Sequence, residues 1–282
     1  MKNNLLALLV VGAVAMLSAQ VKTPQSSPSA SVKQAIGLSE VVVEYSRPSA
    51  NDRKVFGNLV PMGQLWRTGA NGSTDITFGQ EANFNGVMVP AGKYALYTMP
   101  SGGEWEVVLY KDTEQWGAPK QLDDKMIVAK TKVKALKNPL FVETFAIDFN
   151  DLKTDQANLI MSWENTMVKV PIVMDSKKQV LESISSTLST KDAKASDYNQ
   201  AASYYLQEKL DLKKALEYSK KANLLAPDTF YMLKLQAEIE AANGMKMEAI
   251  ATATQSLALA KKAGNDDYVK INMDNIAKWS KK

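Results

Sequence analysis

The sequence predicts an all-β antiparallel domain of sandwich or jelly-roll-like type, followed by an all-α domain of helical repeats. Three observations predict it. Between Val32 and Met174, short segments rich in Val, Ile, Tyr, Phe and Thr alternate with Gly, Pro, Asn and Asp clusters, the pattern of strands and tight turns. Beyond Asp175, Gly and Pro become scarce and Ala, Leu, Lys, Glu and Gln recur at helical spacing. No helical stretch interrupts the β segments, so hairpins and not crossover helices join neighbouring strands.

In chain order, the first 19 residues place Lys2 ahead of an apolar run from Leu5 to Leu17 that ends in Ser18 and Ala19, and read as a secretory signal peptide. At about 1.5 Å of rise per residue, the 13-residue run is shorter than a hydrocarbon core of about 30 Å, so no permanent membrane anchor is expected. Export, to the periplasm or the exterior, is the expected localisation. Residues 20–31, with Pro24 and Pro28 among serines, read as a flexible leader. The β domain then spans 32–174 and the helical domain 175–282.

Strands are expected at Leu38–Tyr45, Thr74–Phe78, Lys93–Met99, Glu104–Tyr110, Met126–Leu136, Leu140–Phe149, Asn158–Glu164 and Met167–Val173. The turn Pro100-Ser101-Gly102-Gly103 closes one hairpin, and Glu164-Asn165-Thr166 is read as closing the last. Helices are expected at Lys177–Leu188, Asp192–Leu206, Leu212–Ala226, Thr229–Asn243, Lys246–Lys262 and Asp266–Ser280. Within them Lys214-Ala215-Leu216 recurs 34 residues later as Glu248-Ala249-Ile250, a period that belongs to helix-turn-helix repeats. Ala215, Ala222 and Pro227 resemble the small, small and proline positions of a tetratricopeptide repeat. Ser219, Asn199 and Lys261 depart from that pattern. About two degenerate repeats are fewer than the three or so that normally stand alone.

Composition limits the chemistry. The chain has 282 residues, a formal net charge of +4, no Cys and no His. Disulfides, thiol nucleophiles, Cys/His zinc sites and histidine-based triads are therefore excluded. What remains for an enzyme is carboxylate, Tyr, Lys or Ser/Lys chemistry, or an all-oxygen metal site, and no specific motif for any of these occurs. No catalytic residue, cofactor or metal is assigned. The scattered Lys, interleaved with Glu and Asp, suit solvated helix faces better than a nucleic-acid groove, so no nucleic-acid partner is expected.

The cations differ in type. Only three of the 34 are Arg, and Arg47, Arg53 and Arg67 all fall within 21 residues that also hold Phe56 and Trp66, with Tyr45 two residues before them. A guanidinium is a rigid planar fork that pairs bidentately with carboxylate or phosphate and stacks on rings, which an ammonium cannot copy. Two readings follow: the three converge on an anionic ligand, or they pin loops by pairing internal acids such as Glu44, Asp52 or Asp75. The hypothetical binding set is Arg47, Arg53, Arg67, Tyr45, Trp66, Asn71 and Trp116. Trp116, in the polar stretch Lys111–Lys120, is the tryptophan expected to be exposed and to stack on a sugar ring, although most indoles in an all-β domain are core. Glu104, Glu106, Asp123, Asp124, Glu143 and Glu164 are available for glycoside hydrolysis, which needs two carboxyl groups at a set separation.

The segments YSRP (45–48), RKVFGNLVPMGQLWRTGAN (53–71), TDITF (74–78), VPAGKYALYTMP (89–100) and QWG (115–117) are similar to exported bacterial proteins grouped as the domain of unknown function 2911 family. The resemblance covers about residues 28–174 and departs at Met62, where an aromatic is frequent. It implies an exported β domain, often followed by helical repeats, with no established activity. The expected role is non-enzymatic binding or assembly, with a protein or peptide partner on the helical segment and an anionic or sugar ligand on the β domain. The alternative is a carboxylate-based glycan-acting enzyme or a carbohydrate-binding module.

Overall fold

The computed structural model describes residues 23–281 and divides into two compact units that meet in sequence at Asp175–Ser176. The signal-peptide reading and the start of the leader lie outside the described residues. The first unit holds nine antiparallel strands: β1 (Ser29–Ile36), β2 (Ser39–Ser46), β3 (Thr74–Phe78), β4 (Ala82–Phe84), β5 (Val87–Val89), β6 (Gly92–Met99), β7 (Glu104–Tyr110), β8 (Ile127–Lys153) and β9 (Gln156–Val173). They form one hydrogen-bonded succession, β1-β2-β3-β6-β7-β8-β9-β4-β5. Strand β8 bends this sheet into two facing halves, because its first part pairs with β7 and its second part pairs with β9.

One core fills the space between the halves. It includes Val41, Val43, Ile76, Phe78, Leu96, Trp105, Val107 and Leu109 from one half, and Phe145, Ile147, Leu159, Met161, Trp163, Val168, Val170 and Ile172 from the other. Alternation along each strand sends these side chains inward. Strand β9 keeps both of its ends facing this core by changing phase midway: odd residues point inward up to Trp163, and even residues do so from Val168. The change occurs at Glu164, whose φ of 49° and shifted register mark a bulge. A seam closes the sheet on its other side. Pro48 O accepts from Phe145 N–H at 2.9 Å, Glu143 O accepts from Ala50 N–H at 2.9 Å, and Tyr45 Oη accepts from Ile147 N–H at 2.9 Å.

A second, smaller cluster lies on the other face of β6 and β7. Ala95, Tyr97, Val108 and Tyr110 are covered there by Leu65, Leu122, Met126 and Ile127. This explains why β6 is buried on both faces.

Three expectations need correction. The predicted strands Met126–Leu136 and Leu140–Phe149 are one strand, as are Asn158–Glu164 and Met167–Val173, so Glu164-Asn165-Thr166 is a bulge and not a hairpin turn. The hairpin lies instead at Thr154-Asp155, between Lys153 and Gln156. Strand β1 begins inside the stretch read as a leader.

The second unit contains α1 (Lys177–Leu188), α2 (Ala195–Gln207), α3 (Leu212–Leu225), α4 (Phe230–Ala242), α5 (Lys246–Lys262) and α6 (Asp266–Trp279). Asp211 and Asn265 cap α3 and α6 through side-chain oxygens that accept backbone N–H groups. The repeat positions Ala215, Ala222, Ala249 and Ser256 are fully buried, where small residues let helix backbones approach closely. Ser256 Oγ donates to Phe230 O at 2.7 Å and accepts from buried Asn272 Nδ2 at 2.8 Å, linking α5 to the start of α4 and to α6.

Candidate functional site

The arginine window resolves into three separate tasks. Arg47 Nε donates to Phe145 O at 3.0 Å, across the seam. Arg53 Nε donates to Ala50 O and Nη2 to Ser49 O, both at 2.9 Å, closing the turn after β2. Arg67 Nη1 donates to Asn71 O at 2.8 Å, within the loop before β3. Among the described residues none of the three forms an ion pair within 4.0 Å, and the ion pairs present there use Lys. The forks hold backbone carbonyls, so the expected pairing with Glu44, Asp52 or Asp75 is not what the fold uses.

Tyr45 and Trp66 also serve the framework. The Tyr45 hydroxyl is engaged with the Ile147 backbone on both of its faces, accepting from N and donating to O. Trp66 stacks on Trp163 at 5.8 Å and meets Phe56, Trp105 and Phe145 edge-on, while its Nε1 donates to Gly69 O. Its ring is half-buried and packs against the core. Asn71 adopts a left-handed φ of 61°, which Asn tolerates, and its Nδ2 donates to Ser27 O and Ser46 Oγ at 3.2 Å. It thereby pins the start of β1 to the end of β2.

Beside Asn71 a groove of about 370 Å³ opens along β1, β2 and the start of β3. Its polar lining consists of Ser29, Ser31, Ser46 and Ser73 with the carboxylates of Glu44 and Asp75. Glu44 and Asp75 are direct cross-strand partners, a like-charge pairing that repels unless neutralised. Lys93 on β6 supplies the cation, 2.9 Å from Asp75 and 3.4 Å from Glu44. The Asp75 hydrogen bond raises the Lys93 pKa above its ordinary value, with charge attraction from both acids adding to it against the opposing effect of burial. One cation against two anions leaves the groove with a local balance of minus one.

The rim is built by the loop after β7. Ser73 N–H donates to Gln115 O at 3.2 Å, and Ser73 Oγ lies 2.8 Å from Asp75 Oδ1 and 3.0 Å from Thr113 O. Asp112 turns the loop by accepting Gln115 Nε2 and Glu114 N–H, and these bonds hold its pKa below the usual carboxylate range. Trp116 follows, 81% exposed, one residue beyond the contact with the groove-lining Ser73. Gly117 then turns with a φ of 106° directly against Arg67, so that a Cβ there would sit 3.2 Å from Nη1. Arg67 therefore supports the loop that displays Trp116. Of the seven expected site residues, Tyr45 lines this groove, Asn71 directly precedes its lining residues Gly72 and Ser73, and Trp116 follows Gln115, which bonds Ser73; Arg67 lies behind Gly117, and Arg47, Arg53 and Trp66 lie elsewhere.

Residues 27–172 match the family described as Protein of unknown function (DUF2911), more than half of the chain. The chain belongs to that family. No curated protein and no solved structure matches it. The DUF2911 match runs from just before β1 to the end of β9, so the groove, its rim and the arginine contacts all lie inside it.

Within the DUF2911 domain four of the six acids considered for hydrolysis have other tasks. Glu106 pairs with Lys130 at 2.8 Å, Glu143 accepts Asn51 N–H, Glu164 accepts Val55 N–H, and Asp123 caps the short 3-10 turn at Asp124–Met126. The sequence reading missed Ser29, Ser31, Ser46, Ser73 and Lys93 as groove residues. The register between β2 and β3 brings the groove together, and strand alternation alone carries no signal for it. The helical unit has a groove of its own, about 640 Å³, lined by Leu188 of α1, Tyr198 of α2 and Tyr218, Lys220, Lys221 and Leu224 of α3, among others.

Proposed function

We propose that this protein is a non-enzymatic binding protein whose β domain takes a neutral polyhydroxylated ligand, a glycan, in the groove beside Trp116. The observation that carries the reading is the joining of an exposed indole to a hydroxyl- and carboxylate-lined groove by the Ser73–Gln115 hydrogen bond. An indole face stacks on the C–H surface of a sugar ring, and carboxylates and serine hydroxyls accept from and donate to its hydroxyls. The minus-one charge balance of the groove favours a neutral sugar over an anion. Lys93 bridges both groove carboxylates in ion pairs, whereas glycoside hydrolysis needs one carboxyl group free to deliver a proton.

Calorimetric titration against a panel of neutral oligosaccharides tests it. The expected result is saturable binding without release of reducing ends, weakened at least tenfold in Trp116→Ala with an unchanged melting temperature. Binding by Trp116→Ala at wild-type affinity refutes the site, and turnover that disappears in Asp75→Asn refutes the non-enzymatic reading.

A second reading concerns the helical groove. Lys220 and Lys221 outnumber Glu217 there, and Tyr198, Tyr218, Leu188 and Leu224 supply apolar walls, which suits an extended peptide bearing carboxylates. Charge reversal at Lys221 is expected to abolish capture of such a peptide, with glycan binding retained.

A further inference from the structure

Midway along β8 the strand leaves its regular ladder. Lys137 pairs with Thr166 and Val142 with Glu164, so five residues of β8 advance over two of β9. The excess chain forms the protrusion Asn138-Pro139-Leu140-Phe141. Side chains hold this bulge: Asn138 Oδ1 accepts Leu140 N–H at 3.2 Å, and Asn165 Nδ2 donates to Asn138 O at 3.2 Å. Leu140 is 73% exposed and Phe141 59%, and Leu136, just before the bulge, is 40% exposed. Neither half of the core needs these three side chains.

The same strand brings cations to them. Lys130, Lys132 and Lys134 alternate on the outward face that leads to Leu136, and Lys137 follows at the edge of the bulge. Lys130 is paired with Glu106, while among the described residues Lys132, Lys134 and Lys137 form no ion pair within 4.0 Å. Glu104 and Glu106 oppose Lys134 and Lys132 across β7, and the Glu143 carboxylate is turned to Asn51 N–H at the seam. The outward face of β8 thus keeps a cationic excess beside an apolar tip.

We propose that this tip and lysine row form a reversible docking surface for an anionic lipid bilayer. The exposed Leu-Phe pair of the bulge enters the headgroup and upper acyl region, and the flanking lysines meet anionic headgroups. Each element alone gives weak attachment, and the two together give more. A second copy of this chain is a poorer occupant, because it would bring the same lysine row against itself.

Co-sedimentation of the full chain with vesicles of phosphatidylcholine, with and without 30 mol% phosphatidylglycerol, tests the proposal. Binding is expected to require phosphatidylglycerol, to fall as salt rises, and to drop about tenfold or more in Leu140→Asp/Phe141→Asp and in Lys134→Glu/Lys137→Glu. Both pairs sit on solvent-facing positions, so circular dichroism and melting temperature are expected to match wild type. No binding to either vesicle overturns the proposal. So does binding that ignores lipid charge and survives both substitutions, which assigns the affinity to the apolar run Leu5–Leu17. A self-association in sedimentation velocity that the Leu140/Phe141 substitution abolishes, with no lipid binding, overturns it in favour of a second copy.

Discussion

Tyr97→Phe isolates a single atom. The ring of Tyr97 is fully buried on the outer face of β6 against Tyr110, at 6.1 Å between centroids, and among the described residues its hydroxyl has no hydrogen-bond partner. Burial, with the negative charges of Asp112 and Asp75 and the neighbouring Tyr110 adding to it, pushes its pKa up to about 12. Two consequences follow. Near pH 7 the native state carries an unpaired buried polar group, and its deletion is expected to stabilise the domain by about 1 kcal/mol. In alkali the unfolded chain releases the phenolic proton near pH 10, two units before the folded one. The stability tied to this proton is intact below pH 10 and is lost as the pH climbs to about 12, by about 1.4 kcal/mol per unit. Every other group that ionises in alkali is common to both proteins and cancels in the difference. The assay is urea unfolding of wild type and Tyr97→Phe, followed by tryptophan fluorescence at pH 7 and pH 11. The variant is expected to be the more stable at both pH values, with the larger margin at pH 11. A loss of more than about 1 kcal/mol at pH 7 would show that the hydroxyl is bonded in the native state and refute the reasoning.

Further outcomes follow from the contacts described. Arg47→Lys removes the Nε donor to Phe145 O and is expected to cost about 1–1.5 kcal/mol in chemical denaturation, because an ammonium on a longer stem cannot copy that position. Gly69→Ala places a Cβ 2.8 Å from Thr74 Oγ1 and 3.0 Å from the backbone oxygen of Ser46, and is expected to lower the melting temperature through a penalty of about 1–3 kcal/mol. Gly117→Ala presses on the Arg67 guanidinium and strains a left-handed position, so weaker glycan binding is expected with only a small change in melting temperature. Ala222→Leu overfills a fully buried repeat position, and circular dichroism is expected to show the helical unit melting earlier.

The sequence carried some parts of this structure openly and hid others for definite reasons. Helices α1 and α5 begin and end at the residues expected, because amphipathic spacing and flanking polar residues mark helix ends locally. Strand β3 was equally legible from strict alternation, and β7 from a Val-Val-Leu-Tyr run that follows a turn signal. Strand β1 was hidden because SASVKQAI is an edge strand in which only Ile36 is fully buried, so its apolar signal is faint. The unity of β8 and β9 was hidden because Pro139 and Glu164-Asn165 look like chain reversals, whereas the bulge absorbs them and pairing resumes beyond it. The three Arg of the window hold carbonyls at three separate places. Their partners could not be read, because backbone carbonyls are present at every residue and leave no trace in composition. Trp116 was legible as an exposed indole, but the groove next to it depends on which strands pair.

The seam between the end of β2 and the middle of β8 ties together residues 102 positions apart, Tyr45 and Ile147. A ribosome must therefore emit more than half the polypeptide before the inner face of the first hairpin is covered by its permanent neighbour. Until then Val41, Val43 and Tyr45 stand as a greasy, unpaired stripe on a growing nascent chain. Such late closure slows maturation and gives a holding chaperone a defined stretch to grasp. A chain that stopped before Phe145 would lack the closing half of the sandwich and leave that stripe uncovered.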